Sequence, residues 1–172
     1  MNEKIEFKLR KFRKSDAEAL AKNINNKIIF RNTLKLPEPY TLKHANEFIK
    51  KNISEYKKKK PKDYVFAMDI NGESVGAIGI HKIVQGHKAE IGYWLAEKYW
   101  GKGIMTKAVS QAEKYAFKEF NLKRLSAGVF PFNKASAKVL KNNGFKFEGR
   151  LRNIEMKNKK PIDEMMYAKI KK

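Results

Sequence analysis

The sequence predicts an α+β domain: a mixed, mostly antiparallel sheet with helices on both faces. Three observations carry this. Short stretches of alternating apolar residues recur in the middle and at the end of the chain, parted by turn signals such as Asn71-Gly72. Helical periodicity occupies the first third and two later segments. One segment reads as strand, glycine loop, helix and strand, a right-handed crossover between two parallel strands. No linker, repeat or low-complexity tract interrupts residues 1–172, which are read as one domain.

The elements follow in order. Ile5, Phe7 and Leu9 alternate and predict a first strand. Ser15-Asp16-Ala17-Glu18 reads as a capping box, serine at the cap, and Ala17, Leu20, Ala21 and Ile24 line the helix it opens. Thr41 caps a second helix, with Leu42, Ala45, Phe48, Ile49, Ile53 and Tyr56 on its buried side. The run Lys57-Lys58-Lys59-Lys60, closed by Pro61, is a solvated helix end. Residues 64–70 form a strand, Asn71-Gly72 turns the chain, and residues 75–84 return antiparallel. After the turn Gln85-Gly86-His87-Lys88, residues 89–95 form the next strand. A long helix then turns Ile104, Met105, Ala108, Val109, Ala112, Ala116 and Phe117 inward. Residues 124–129 lie parallel to 89–95. Asn133 starts a shorter helix that stops at Asn143-Gly144, and residues 145–151 and 165–170 close the sheet.

Composition narrows the function. The apolar fraction of 42% suits a folded core, and no apolar run approaches the roughly 20 residues of a membrane span. Met1-Asn2-Glu3-Lys4 opens directly into strand-like alternation rather than a leader, so the expectation is a soluble, cytoplasmic protein with no membrane partner. The absence of cysteine excludes disulfides, thiolate metal sites and a cysteinyl intermediate. His44, His81 and His87 lack metal-ligand spacing, and no metal is expected. The net charge of +21 comes from 33 lysines and six arginines against 18 acidic residues. It reflects either attraction to polyanions or a compositional bias, and the even spread of lysines favours the second.

The most specific signal is Ile91-Gly92-Tyr93-Trp94-Leu95 followed by Lys98-Tyr99-Trp100-Gly101-Lys102-Gly103-Ile104-Met105-Thr106. Two glycines one residue apart let the backbone turn tightly and approach a ligand closely. The helix that follows offers free N–H groups and the positive end of its dipole, which together suit a phosphate.

With Glu90-Ile91-Gly92-Tyr93-Trp94-Leu95, Trp100-Gly101-Lys102-Gly103-Ile104-Met105-Thr106, Asn133-Lys134-Ala135-Ser136, Asn143-Gly144-Phe145 and Glu148-Gly149-Arg150-Leu151-Arg152, the chain resembles the GNAT superfamily of acetyl-CoA-dependent N-acetyltransferases. Asp163 and Tyr167, and the opening Leu9-Arg10, Asp16-Ala17, Pro39-Tyr40-Thr41 and Phe48-Ile49, place the resemblance in the RimJ/RimL branch, the ribosomal-protein N-terminal acetyltransferases. The resemblance implies the GNAT fold, with two central parallel strands splayed apart. It also implies acetyl-CoA as co-substrate. Gly101, Lys102, Gly103, Ile104, Met105 and Thr106 would cradle its pyrophosphate. The frame's first position is Lys98 where the family has glutamine or arginine. Backbone groups of Tyr93, Trp94 and Leu95 would pair with the pantetheine arm, and Asn133 would bond the arm as well as cap its helix.

Acyl transfer needs a neutral amine, a polarised thioester and a proton for the thiolate. An α-amine, with a reference pKa near 7.7–8.0, needs only modest help to lose its proton. Glu90, on the splayed strand, is the candidate base; its alternative is a surface pair with a lysine. The tyrosine that many GNAT members use as acid is Leu140 here. The branch this chain resembles often has a serine three residues after the asparagine, so the resemblance implies Ser136 as the acid, with a helix-surface hydroxyl as its alternative; Tyr93 is a second candidate. The expected acceptor is a protein N-terminus, reached by direct attack in a ternary complex; a weak, salt-sensitive contact with ribosomes is compatible. The rival readings are a small-molecule N-acetyltransferase, a basic nucleic-acid-binding module and an inactive acetyl-CoA sensor.

Overall fold

A computed structural model describes residues 5–171. The expectation drawn from Met1–Lys4 lies outside the described residues. Seven strands form one sheet: β1 (Lys8–Arg10), β2 (Tyr64–Ile70), β3 (Glu73–Val84), β4 (Lys88–Leu95), β5 (Arg124–Val129), β6 (Lys146–Lys157) and β7 (Lys160–Ile170), in the order β1-β2-β3-β4-β5-β7-β6. Every neighbouring pair is antiparallel except β4 and β5. Helices α1 (Ala17–Ile24), α2 (Lys27–Asn32) and α3 (Leu42–Glu55) cover one face; α4 (Ile104–Glu119) and α5 (Lys134–Asn142) cover the other.

Alternation along the strands explains two cores. Val65, Ala67 and Ala77 point toward α1–α3 and pack with Leu20, Ile24, Ile29 and Ile49. Met68, Ile78, Ile80 and Leu125 point the other way, against Ala108, Val109 and Leu140. Each fully buried side chain of leucine size contributes about 1.5–3 kcal/mol relative to exposure.

The sheet has one opening. β4 and β5 pair only through Lys88↔Arg124, Ala89↔Leu125 and Glu90↔Ser126. Beyond that both strands continue, β4 to Leu95 and β5 to Val129, without pairing to each other. Their inner backbone groups line a slit.

Several expectations are corrected. Ser15 is not the cap. A 3-10 turn, Lys14–Asp16, precedes α1, and the Asp16 carboxylate accepts the Arg13 N–H at 2.7 Å. Arg10 on the adjacent strand draws that carboxylate inward, which a serine hydroxyl cannot match. The first strand is only Lys8–Arg10, because β2 pairs with it only over that length. Helix α2 was not anticipated; Asn26 caps it, accepting from Ile28 and Ile29. Thr41 does cap a helix, but the third, and Leu42 is 48% exposed at its first turn. The last hairpin is longer than residues 145–151 and 165–170 implied, since an irregularity between Leu151 and Glu155 lets pairing resume.

Candidate active site

The glycine loop follows β4 as expected. Gly101 and Gly103 both have φ of +72°, a left-handed backbone that glycine adopts without steric cost. A Cβ at either position would meet nothing within 4 Å, so the concave side is open. Gly103 is the N-cap of α4, and the free N–H groups of Ile104, Met105 and Thr106 follow it. This cradle fits a pyrophosphate. Lys98 is directed elsewhere: its ammonium lies 3.8 Å from Glu73 and 4.9 Å from the Tyr99 ring centroid. Lys102 also lies over Tyr99, at 5.8 Å.

On the α4–α5 face of the slit, β4 turns Tyr93 toward α5. Its hydroxyl lies 2.9 Å from Ser136 Oγ. Burial pushes the Tyr93 phenol up to about 12, and the Ser136 hydrogen bond pulls in the opposite direction. The phenol thus keeps its proton at neutral pH, and either hydroxyl of the pair can donate to the other. Asn133 Oδ1 accepts the Ser136 N–H at 3.2 Å, capping α5 and fixing the serine. The two candidate acids, 43 residues apart, thus form one hydroxyl pair. Leu140 is fully buried in the core. Of the three residues expected to offer backbone to a cofactor arm, Leu95 has its carbonyl taken by the Trp100 indole N–H at 2.6 Å. Trp94 packs against the α1–α3 core and Tyr93 against the other.

The α1–α3 face of the slit is different. Glu90 stands at its closed end, with Lys82 Nζ 2.9 Å from its carboxylate. On the opposite lip the Glu164 carboxylate lies so close over Gly128 that a Cβ there would come within 2.5 Å of it. Burial raises the Glu164 carboxyl above its ordinary range, helped by the charges of Glu155 and Glu90 and opposed by Lys82. His81, paired with Glu90 across the strands, covers Gly79 and faces Gly92. Glu155, Glu164 and His81 were not anticipated from the sequence. Their proximity depends on strand register and on two bulges, at His81/Val84 and Leu151/Glu155.

Residues 6–146 match the family model described as an acetyltransferase (GNAT) domain. The chain belongs to the GNAT acetyltransferases. It is an acetyl-CoA-dependent N-acetyltransferase. It is 30% identical over 164 residues to an uncharacterized N-acetyltransferase, YoaA, of Bacillus subtilis, spanning 95% of this chain and 92% of that protein. It is 34% identical over 99 residues to the ribosomal-protein-serine acetyltransferase of Escherichia coli, spanning 57% and 55% of the two chains. Among solved structures, the microcin C7 self-immunity acetyltransferase MccE, in complex with acetyl-CoA and AMP, superposes with a TM-score of 0.87 at 25% identity, covering 96% and 93% of the two chains. The ribosomal L7/L12 alpha-N-protein acetyltransferase RimL, in complex with coenzyme A, gives 0.85 at 25% identity, covering 95% and 93%. The two-sided slit of this GNAT chain, open between β4 and β5, is its candidate active site. No cluster of possible metal ligands occurs among the described residues, and no described helix is long and apolar enough to cross a membrane.

Proposed function

We propose that this GNAT enzyme acetylates the α-amine at the N-terminus of a protein, of ribosomal-protein type, by direct attack on acetyl-CoA in a ternary complex. The observation that carries the reading is the division of the slit. A neutral hydroxyl pair, Tyr93 and Ser136, lies on one face. Carboxylates of Glu90 and Glu164 lie on the other, in a chain whose net charge is +21. A local negative mouth attracts an ammonium, while the basic surroundings favour an acidic or neutral body behind it. A polyamine, cationic throughout, suits the mouth but not the surroundings. Relatives named as ribosomal-protein acetyltransferases support the same acceptor class.

In this reading the pyrophosphate of acetyl-CoA rests on Gly101, Lys102, Gly103, Ile104, Met105 and Thr106. Its arm runs along Tyr93, Trp94 and Leu95 toward Asn133. The amine nitrogen attacks the thioester carbon, the C–N bond forms, and the C–S bond breaks. The thiolate takes a proton from the Ser136–Tyr93 pair, which regains one from solvent. Ser136→Ala and Tyr93→Phe should each lower kcat, and the double variant by about 10²-fold, with acetyl-CoA affinity nearly unchanged. Steady-state rates and a binding titration of each variant check this; unchanged turnover in the double variant would remove the pair from the chemistry.

The test of the function is thiol release from acetyl-CoA with a panel of N-terminal peptides, polyamines and aminoglycosides. Acetyl-CoA alone should raise the melting temperature, since it binds only the folded chain. Peptides with a free α-amine and an acidic body should then be the best acceptors. Turnover confined to polyamines or aminoglycosides would overturn the acceptor reading.

A further inference from the structure

Glu90 is engaged by Lys82, and a second group on the same face is able to take the amine's proton. His81 has the required placement. Its Nδ1 lies 3.1 Å from Asp63 Oδ1; a carboxylate only accepts, so Nδ1 carries a proton and the lone pair of a neutral ring falls on Nε2. Asp63 is itself held in place. Its Oδ1 also accepts the Lys82 N–H at 3.3 Å, and Lys51 Nζ lies 3.4 Å from Oδ2. The hydrogen bond from His81 is the largest of the influences that hold the Asp63 carboxyl well below the usual carboxylate range. Asp63 is thus an ionised orienter.

Two glycines make room for the ring. A Cβ at Gly79 would sit 2.3 Å from His81 Nε2, so only glycine lets the imidazole lie flat on the sheet there. A Cβ at Gly92 would lie 3.9 Å from the same nitrogen. Gly92 is two residues beyond Glu90, the last residue of β4 that pairs with β5. Gly79 and Gly92 are partners across β3 and β4, so Nε2 lies over β3 beside β4, one strand from the slit and on the face opposite the Tyr93–Ser136 pair. The side chain is 40% exposed, which leaves it a route to hand protons to water.

We propose that His81, oriented by Asp63, is the proton acceptor for the attacking amine, and that Glu90 and Glu164 hold the incoming ammonium. The proposal rests on the N-acetyltransferase reading of this slit. The ammonium gives one proton to Nε2, which passes it to solvent, and the neutral amine attacks. The second proton leaves the nitrogen by the same route after the C–N bond forms. One proton's worth of charge is thus released per turnover once the thiolate has been reprotonated. The charged groups around His81 are Asp63 ahead of β2, which it contacts, with Lys51 of α3 beyond it, and Glu90 of β4, opposite it in register, with Lys82 of β3 paired to that glutamate.

The experiment compares His81→Gln, Asp63→Asn, Glu90→Gln, Glu155→Gln and Glu164→Gln, with His87→Gln, in the exposed β3–β4 turn, as the control. The acceptor is whichever amine of the panel the wild type acetylates, so the peptide assignment can fail while His81 is still tested. Thermal shift with acetyl-CoA confirms folding. His81→Gln should lower kcat/KM about 10²-fold near pH 7, and the loss should shrink above the acceptor's own pKa, near 8 for an α-amine. Asp63→Asn should give a smaller loss of the same pH form. Added imidazole should restore turnover to His81→Ala, because the space above Gly79 and Gly92 is then vacant. Turnover of His81→Gln within about twofold of wild type would overturn the proposal. So would a loss constant across pH without imidazole rescue, or the pH-dependent loss appearing in a glutamate variant instead.

Discussion

Gly103→Val is expected to abolish acetyl-CoA binding. Gly103 caps α4 at a φ of +72°, and valine, branched at Cβ, is the side chain that tolerates this conformation least. Holding it there costs of order 1–3 kcal/mol. The space a Cβ would enter is empty of protein, and it is the concave side on which the phosphates would rest. The substitution therefore blocks the ligand as well as straining the turn. Calorimetric affinity should fall at least about 100-fold, a loss of about 2.7 kcal/mol in binding. Gly103→Ala, with less bulk, should fall between the two. Wild-type affinity in Gly103→Val would remove the loop from the cofactor site.

Asp16→Ala is expected to give the largest loss of stability. Arg10 holds Asp16 with two parallel hydrogen bonds of 2.8 Å, and its Nε lies 2.6 Å from Asp69. All three side chains are largely buried. Removing Asp16 strips the guanidinium of one partner and leaves the Arg13 N–H without its acceptor. Breaking a buried pair from one side costs about 3–5 kcal/mol. For a domain of this size that is a fall in Tm of about 6–20 °C. Thermal melts of variant and wild type check it, and a change below about 1 °C would mean that water replaces the lost partner. Acid should act similarly on Asp69. Burial pushes its carboxyl up, but the hydrogen bonds from Arg10 and the Gly72 N–H outweigh burial, and it ends below its ordinary value. A group lowered in the folded state stabilises above its unfolded pKa. That contribution is lost as pH falls below about 4.

The sequence made the sheet's core and the glycine loop before α4 legible because both are local. Asn71-Gly72 and Asn143-Gly144 stop where they should, and the strand Arg124–Val129 has the expected bounds. What failed locally was decided at a distance. Ser15 lost its capping role because Arg10 reaches the neighbouring Asp16. Helix α2 is too short for periodicity to show, and only its cap Asn26 marked it. The candidate site was half legible. Gly101, Gly103, Asn133 and Ser136 carry local signatures. The link from Tyr93 to Ser136 spans 43 residues, and that from Asp63 to His81 spans 18 and passes through a hairpin and a bulge. No spacing rule joins such pairs; strand register does. Glu90 was legible as a carboxylate on the right strand, and a pair with a lysine was its stated alternative; that the lysine is Lys82 was not legible.

The parting of β4 and β5 makes the sheet a wall with a slit in it. In the proposed arrangement the two substrates come to that slit from opposite rooms, so neither stands in the other's doorway. Spent coenzyme can withdraw past the glycine loop while the acetylated chain still leans on the far side. Only the leading end of an acceptor has to reach the slit; everything behind it stays outdoors. An enzyme built this way sorts its acceptors by the character of their leading end and the charge that trails it, and their bulk is of little consequence to it.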